Sequence, residues 1–182
     1  DPNRSLSLWA GKAPLPNRIA IVSDISESGV VRTIKEHDAD GRIVIVDLEG
    51  VASRMVSRAI SQADLVLIPM RATVLDATIG VRSINLIAEE EEALGRSIAH
   101  AVVFTMTRAV RSKQQNGIEA SLRKQGVRII DPPLMERAAF SALFEFGGDL
   151  RSIPPQGNMQ GAIDNAADFA AAVYAELRGA LQ

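Results

Sequence analysis

The chain has 182 residues, of which 47% are apolar and 23% charged, with a formal net charge of −2. These values are ordinary for one soluble globular domain. The absence of cysteine excludes a disulfide framework and thiolate metal sites, and the two histidines lack ligand-like spacing. The charge gives no global attraction to nucleic acid, so any such binding requires a local patch.

Short apolar runs alternate with longer helical patterns along the chain. Strands are predicted at 18–23, 41–47, 64–69, 97–107 and 127–131. Helices are predicted at 28–39 (with Ser28 as N-cap), 53–63, 75–95, 113–126 (ended by Gly126), 135–148 and 162–181. Strands that are apolar throughout are buried on both faces, which predicts a mostly parallel sheet with helices on both faces. We therefore expect one three-layer α/β domain over 1–182, with ligands beyond the carboxyl ends of the strands.

The stretch "IVIVDLEG" places an acidic residue, Asp47, directly after a β-branched run, and Glu49 and Gly50 follow it. A carboxylate at such a position holds the water shell of Mg²⁺ in phosphate-binding enzymes, and a glycine lets the loop approach a terminal phosphate. On this stretch alone the alternative stays open that Asp47 caps the following helix or merely ends the strand.

The wider context of this stretch resembles the ParA/MinD family of deviant-Walker ATPases. The resemblance begins with "DLEG" as the family's Asp-x-x-Gly motif, continues with "ADLVLIP" at 63–69, and includes Asp76 at the head of the next helix. It extends through "TMTR" at 105–108 and "PLMERAAFSALFEFGGDL" at 133–150. It implies a P-loop NTPase-like fold and a nearest likeness to ParA-like proteins of plasmid partition and of conjugative DNA transfer.

The resemblance implies an ATP and Mg²⁺ site. Asp47 would hold the magnesium water shell and Gly50 would sense the γ-phosphate. "DPNRS" at the start of the chain matches the tail of the family's Asp-x-Asp-Pro-Gln-like motif, so Asp1 would position the attacking water. Thr107 and Arg108 would flank the nucleobase. Pro132 would border the adenine, although a plain turn there is an equal alternative.

Two departures from the family pattern affect these expectations. Glu49 stands where family members commonly have proline, and a carboxylate there repels a γ-phosphate unless it points away or pairs with a cation. The printed sequence also contains no G-x-x-x-x-G-K-[ST] loop. We therefore expect that an N-terminal βα unit, one strand–P-loop–helix–strand segment of about 30 or more residues, precedes Asp1 in the natural protein.

A cluster of basic residues lies between 108 and 128, with six cations and one anion, Glu119. The cluster has no interleaved aromatic residues, so phosphate contact is expected and base stacking is not. The candidate DNA-binding residues are Arg111, Lys113, Arg123 and Lys124. A solvated helix face is the alternative on charge alone, and the resemblance favours DNA because ParA proteins bind it non-specifically as ATP-bound dimers.

The last helix favours core packing over membrane binding. Its predicted apolar stripe consists of Ile163, Ala167, Ala170, Tyr174, Leu177 and Leu181, and its polar side is mainly acidic, which anionic lipid would repel. Met135, Phe140, Leu143 and Phe144 are likewise predicted to lie in the core. No membrane partner is expected.

These patterns lead to a first hypothesis and two alternatives. The first is a cytoplasmic, nucleoid-associated ParA-like ATPase whose homodimer binds DNA non-specifically and whose ATP turnover a ParB-like activator protein stimulates. The second is a non-catalytic scaffold with the same fold that binds DNA or protein without turnover. The third, a ligase of the dethiobiotin-synthetase kind, ranks last because nothing in the sequence suggests a small-molecule carboxylate site.

Overall fold

The structure is a computed structural model that describes residues 4–16, 18–39, 41–49 and 53–182. Within these ranges the strands are β1 (Val66–Met70), β2 (His100–Thr107) and β3 (Ile129–Met135). The helices are α1 (Ser5–Ala10), α2 (Val30–Asp38), α3 (Arg54–Ile60), α4 (Val74–Leu94), α5 (Lys113–Lys124), α6 (Ala138–Phe146) and α7 (Met159–Ala180). The expected α/β alternation is therefore present from α3 onward.

The three strands form one parallel sheet in the order β1-β2-β3. Val66 is paired with His100 at the start of β1, and Val102 is paired with Ile129 at the start of β3. The carboxyl ends of all three strands consequently lie at the same edge of the sheet, which is the edge where open α/β sheets bind ligands.

The central position of β2, between two packed layers, explains why its sequence is apolar throughout. Val102 and Phe104 point into a core built with residues of α3, α4 and α5, while Ala101 and Val103 contact Phe169 on α7 across the opposite face. Successive side chains of a strand alternate between faces, so a strand covered on both sides needs apolar residues at every position. The three-layer arrangement expected from the sequence is thus present around this small sheet.

Helix starts follow local capping chemistry. The N-cap side chains that accept a backbone hydrogen bond are Ser53 for α3, Thr73 for α4, Ser112 for α5 and Asn158 for α7. Each satisfies an N–H group of the first turn that lacks a helical partner. The prediction of Ser28 as a cap is wrong, because α2 begins after Gly29, and Ser26 Oγ accepts the Gly29 N–H at 3.2 Å. Gly126 follows the last residue of α5 and its cap with φ +80°, as the sequence predicts.

Two predicted strands, 18–23 and 41–47, are wrong for the part of the chain that the structure describes. Both runs are irregular there. Ile45 is 84% exposed and Ile19 is 47% exposed, so neither side chain is in a sheet core. An apolar run becomes a buried strand only where neighbouring strands pair with it and helices pack on its faces. The described residues provide that environment for β1, β2 and β3.

Strand β3 is longer than predicted, because it continues through Pro132 and Pro133. Val103 is paired with Ile130 but Thr105 with Leu134, so residues 131–133 form an irregular insertion in the ladder. Proline is tolerated in edge strands and at such irregularities, where its missing N–H is not needed. The alternative of a plain turn at Pro132 is wrong, and α6 begins only at Ala138.

Candidate functional site

Two of the three residues expected to flank a nucleobase lie at the carboxyl end of β2. Thr107 ends β2, is paired with Met135, and accepts the Glu136 N–H through its backbone oxygen at 2.9 Å. Arg108 follows immediately and is exposed. Pro132 instead lies within the irregular part of β3, before Leu134, which is paired with Thr105. The structure therefore places Thr107 and Arg108 at the expected edge of the sheet and Pro132 farther back along its strand.

Thr107 has an unusual side chain for this position. The residue is 4% exposed, and its Oγ1 atom has no hydrogen-bond partner among the described residues. A buried hydroxyl without a partner is unfavourable by about 1–3 kcal/mol. Buried polar atoms are rarely left in this state, so Thr107 is the strongest local indication of a polar ligand or water at this edge.

Arg111 and Arg123 are bound to carboxylates rather than free in solution. Arg111 donates through one nitrogen to Glu119 Oε2 at 2.7 Å and through another to Asp131 Oδ1 at 2.8 Å. Arg123 donates to the second oxygen of Asp131 at 2.8 Å. The second oxygen of Glu119 accepts a hydrogen bond from Gln115 Nε2 at 2.8 Å. We call these five residues the Arg111 network.

The other two candidate DNA-binding residues are in a different environment. Lys113 begins α5 and Lys124 ends it. Both side chains are exposed and form no ion pair with another described residue. Arg128, a further cation of the basic cluster, is held by Glu176 of α7 through two bonds of 2.8 and 3.0 Å. The basic cluster is therefore partly neutralised, and Arg108 and the two lysines of α5 are its cations without an ion pair among the described residues.

The residues expected to contact the phosphates lie in an irregular stretch or outside the described residues. Asp47 and Glu49 are exposed and lie in the irregular stretch 41–49, so Asp47 does not follow a strand as predicted. Asp1 and Gly50 lie outside the described residues. No group of three or more potential metal ligands occurs among the described residues. A magnesium ion that keeps most of its waters needs only one or two protein carboxylates besides phosphate oxygens, so Asp47 has suitable donor chemistry.

Asp76 lies where the sequence places it, in the first turn of α4. Its backbone N–H is donated to Thr73 Oγ1 at 3.1 Å, and the same hydroxyl donates to Asp76 Oδ2 at 3.0 Å. A carboxylate at a helix N-terminus interacts favourably with the helix dipole. The position is therefore fully explained by helix capping.

Sequence reasoning missed several polar features. A shallow, open depression of the surface beside α3 is lined by Ser53, Arg54, Ser57 and Arg58. Its signal is the Ser-Arg pair repeated four residues apart, which puts like residues on one helix face. Arg137, just before α6, has a buried Nε atom with no hydrogen-bond partner among the described residues, and its Nη2 donates to Met135 Sδ at 3.5 Å. No local pattern distinguishes Arg137 from an ordinary exposed arginine.

No helix among the described residues is both long and apolar enough to span a bilayer. No protein-family model matches the chain. The chain is 63% identical over 184 residues to a curated protein of Rhizobium radiobacter named Protein ParA. That match covers the whole of this chain and 83% of the relative.

Proposed function

This chain belongs to the ParA family, and on that premise we propose that it is a partition ATPase whose nucleotide-bound dimer binds DNA without sequence preference. The observation that carries the proposal is the 63% identity to a protein named ParA along the entire chain. Proteins that are this similar in sequence over a whole domain share their overall fold. The deviant-Walker site and the P-loop NTPase-like architecture are part of the proposal.

The nucleobase side of the proposed site uses the carboxyl end of β2 and the irregular part of β3. Thr107, Arg108 and Pro132 would border the base, and the unpartnered hydroxyl of Thr107 supports a polar group there. On the phosphate side, Asp47 would hold the water shell of a magnesium ion. Gly50 would approach the γ-phosphate, and Asp1 would orient the attacking water.

The proposed DNA contact is made by the exposed lysines of α5. Lys113 and Lys124 stand at the two ends of one helix, which is 12 residues long. Such a helix spans about 18 Å, so its two ends reach different phosphates of one duplex. Binding of this kind releases counterions and weakens steeply with salt. A ParB-like activator would stimulate hydrolysis and release the dimer.

ATP binding and hydrolysis by the protein expressed from its own reading frame test the enzymatic part of this proposal. We expect magnesium-dependent turnover that Asp47→Ala abolishes. Asp168→Ala is the matched control, because Asp168 is an exposed aspartate on α7 to which no role at the nucleotide is assigned. Turnover by Asp47→Ala at the wild-type rate would exclude the assigned role of Asp47. Failure of the wild-type protein to bind ATP would instead favour a non-catalytic scaffold.

A further inference from the structure

The Arg111 network uses its donors and acceptors in a closed pattern. Each carboxylate oxygen of Glu119 and Asp131 receives one hydrogen bond, at 2.7 to 2.8 Å. The Arg111 guanidinium bridges both carboxylates, which a planar fork of fixed donors does well. Two cations, Arg111 and Arg123, face two carboxylates, so the network has a net charge of zero. It therefore contributes little field toward a polyanion.

Glu119 explains why Arg111 remains in place. The residue is 7% exposed although it is a carboxylate, and Arg111 forms its ion pair among the described residues. A buried carboxylate is stable only when it is paired and hydrogen-bonded. If Arg111 turned outward to a DNA phosphate, Glu119 would keep only its bond from Gln115. The structure thus opposes a direct DNA contact by Arg111.

The network also connects the two segments that would flank a nucleobase. Arg111 lies between the end of β2 at Thr107 and the start of α5, three residues after Arg108. Its partner Asp131 directly precedes Pro132 in β3. A bond between these residues fixes the loop after β2 relative to the irregular part of β3. Both ends of that contact are adjacent to proposed nucleotide-binding residues.

We propose that Arg111 is a positioning residue: its guanidinium holds the loop that carries Arg108 against α5 and β3, and its charge is not available to DNA. The expected loss of nucleotide affinity on changing Arg111 rests on the proposed function, because it requires Thr107, Arg108 and Pro132 to border the base. The expected loosening of the loop does not depend on that function.

Three measurements on the protein expressed from its own reading frame test this inference, with Arg111→Gln compared with Lys113→Gln. They are the backbone NMR order parameters of residues 108–112, ATP affinity, and the salt dependence of DNA affinity. For Arg111→Gln we expect the order parameters of the loop to fall from about 0.85 to below about 0.6 and ATP to bind roughly tenfold more weakly. The slope of log affinity against log salt should stay at the wild-type value. For Lys113→Gln the slope should fall in magnitude by about 1, with the order parameters and ATP affinity unchanged.

Arg111→Lys separates charge from geometry. An ammonium group keeps the charge but cannot bridge two carboxylates as a guanidinium does. We expect its loop order parameters to be as low as those of Arg111→Gln. If Arg111→Lys instead keeps the wild-type order parameters, the bridging geometry is not what holds the loop, and the inference is wrong.

Arg111→Gln leaves Glu119 buried and unpaired, which can prevent folding. The double variant Arg111→Gln/Glu119→Gln removes both charges and then replaces the single variant in all three measurements. A salt slope reduced by about 1 together with unchanged loop order parameters would identify Arg111 as a DNA contact and overturn the inference. If the wild-type protein binds neither ATP nor DNA, the proposed function fails, and the comparison of order parameters alone still decides the role of Arg111.

Discussion

The side chain of Asn165 on α7 accepts a hydrogen bond from the backbone N–H of Met135 on β3, with an N···O distance of 2.9 Å. The same amide donates through Nδ2 to the carbonyl oxygen of Pro133, also at 2.9 Å. These two backbone groups are two residues apart on an edge strand of the three-stranded sheet. Asn165 therefore satisfies main-chain groups that a neighbouring strand would otherwise pair.

We predict that Asn165→Ala lowers the free energy of unfolding by about 2–4 kcal/mol, because it leaves a donor and an acceptor of β3 without partners in a site where Asn165 is 6% exposed. Asn158→Ala on the same helix is the control. It removes only an exposed N-cap bond and should cost about 1 kcal/mol. Urea unfolding followed by circular dichroism measures both values. Equal losses for the two variants would show that Asn165 acts only as a helix residue.

The same region shows what sequence patterns miss. The apolar run before Pro132 predicts a strand that ends at 131, whereas β3 continues to Met135. Pairing on one side by β2 and on the other by Asn165 makes two consecutive prolines acceptable. A partner 30 residues away along the chain is invisible to local periodicity.

Gly147 is required by a close approach of two segments. Its φ is +74° and its ψ is −167°, a region that only glycine adopts readily. A Cβ atom there would lie 2.8 Å from Lys12 Cβ and 2.9 Å from the backbone nitrogen of Ala13. The adjoining Gly148 carbonyl accepts the indole N–H of Trp9 at 3.0 Å. Helix α1 is therefore held to the end of α6.

We predict that Gly147→Ala destabilises the protein by about 2–4 kcal/mol and releases α1 first. Trp9 is the only tryptophan, so its fluorescence reports this contact directly. The emission should shift to longer wavelength before the circular dichroism of the other helices changes. Gly117→Ala on α5 is the matched control, because a Cβ there meets nothing within 4 Å. It should stabilise the protein by roughly 0.5–1 kcal/mol. If the fluorescence and the circular dichroism of Gly147→Ala change together, Gly147 does not act locally on α1.

The candidate site was predictable where chemistry follows strand ends and not where it depends on side-chain partners. The end of a predicted strand indicates Thr107 and Arg108, and β2 does end there. The density of positive charge along the sequence favours DNA contact by Arg111 and Arg123. Both arginines are paired with Asp131, which lies on a different element and outside the charged stretch, and Arg111 is also paired with Glu119.

Thr107→Val tests whether the unpartnered hydroxyl serves a ligand. Valine has nearly the same shape and removes a buried polar atom that has no partner among the described residues. We predict that the free energy of unfolding without ligand rises by about 1 kcal/mol, while ATP binding weakens about tenfold. Thr73→Val is the control of opposite sign, because Thr73 Oγ1 caps α4, and its loss should cost about 1 kcal/mol. Destabilisation by Thr107→Val would indicate that a water or protein group already satisfies this hydroxyl.

The packing faces of α6 and α7 differ from those that apolar periodicity predicts. Phe144, expected in the core, is 53% exposed, and Tyr174 of the predicted α7 stripe is 52% exposed. The face of α7 that meets the sheet carries Phe169, Ala172 and Val173 instead. Both stripes of α7 are apolar because the helix is rich in alanine. Periodicity alone therefore does not choose between them, and the position of β3 does.

The two phenylalanines give a direct test of this assignment. Phe104 on β2 is 1% exposed and is among the largest fully buried side chains. Phe104→Ala should lower the free energy of unfolding by about 3–5 kcal/mol, because it removes buried apolar area and leaves a cavity. Phe144→Ala should lower it by only about 1–2 kcal/mol, because about half of that residue is already exposed to solvent. Urea titration of both variants measures the difference. A loss at Phe144 as large as that at Phe104 would mean that α6 buries the face that the sequence predicted, and that the packing of α6 described above is wrong.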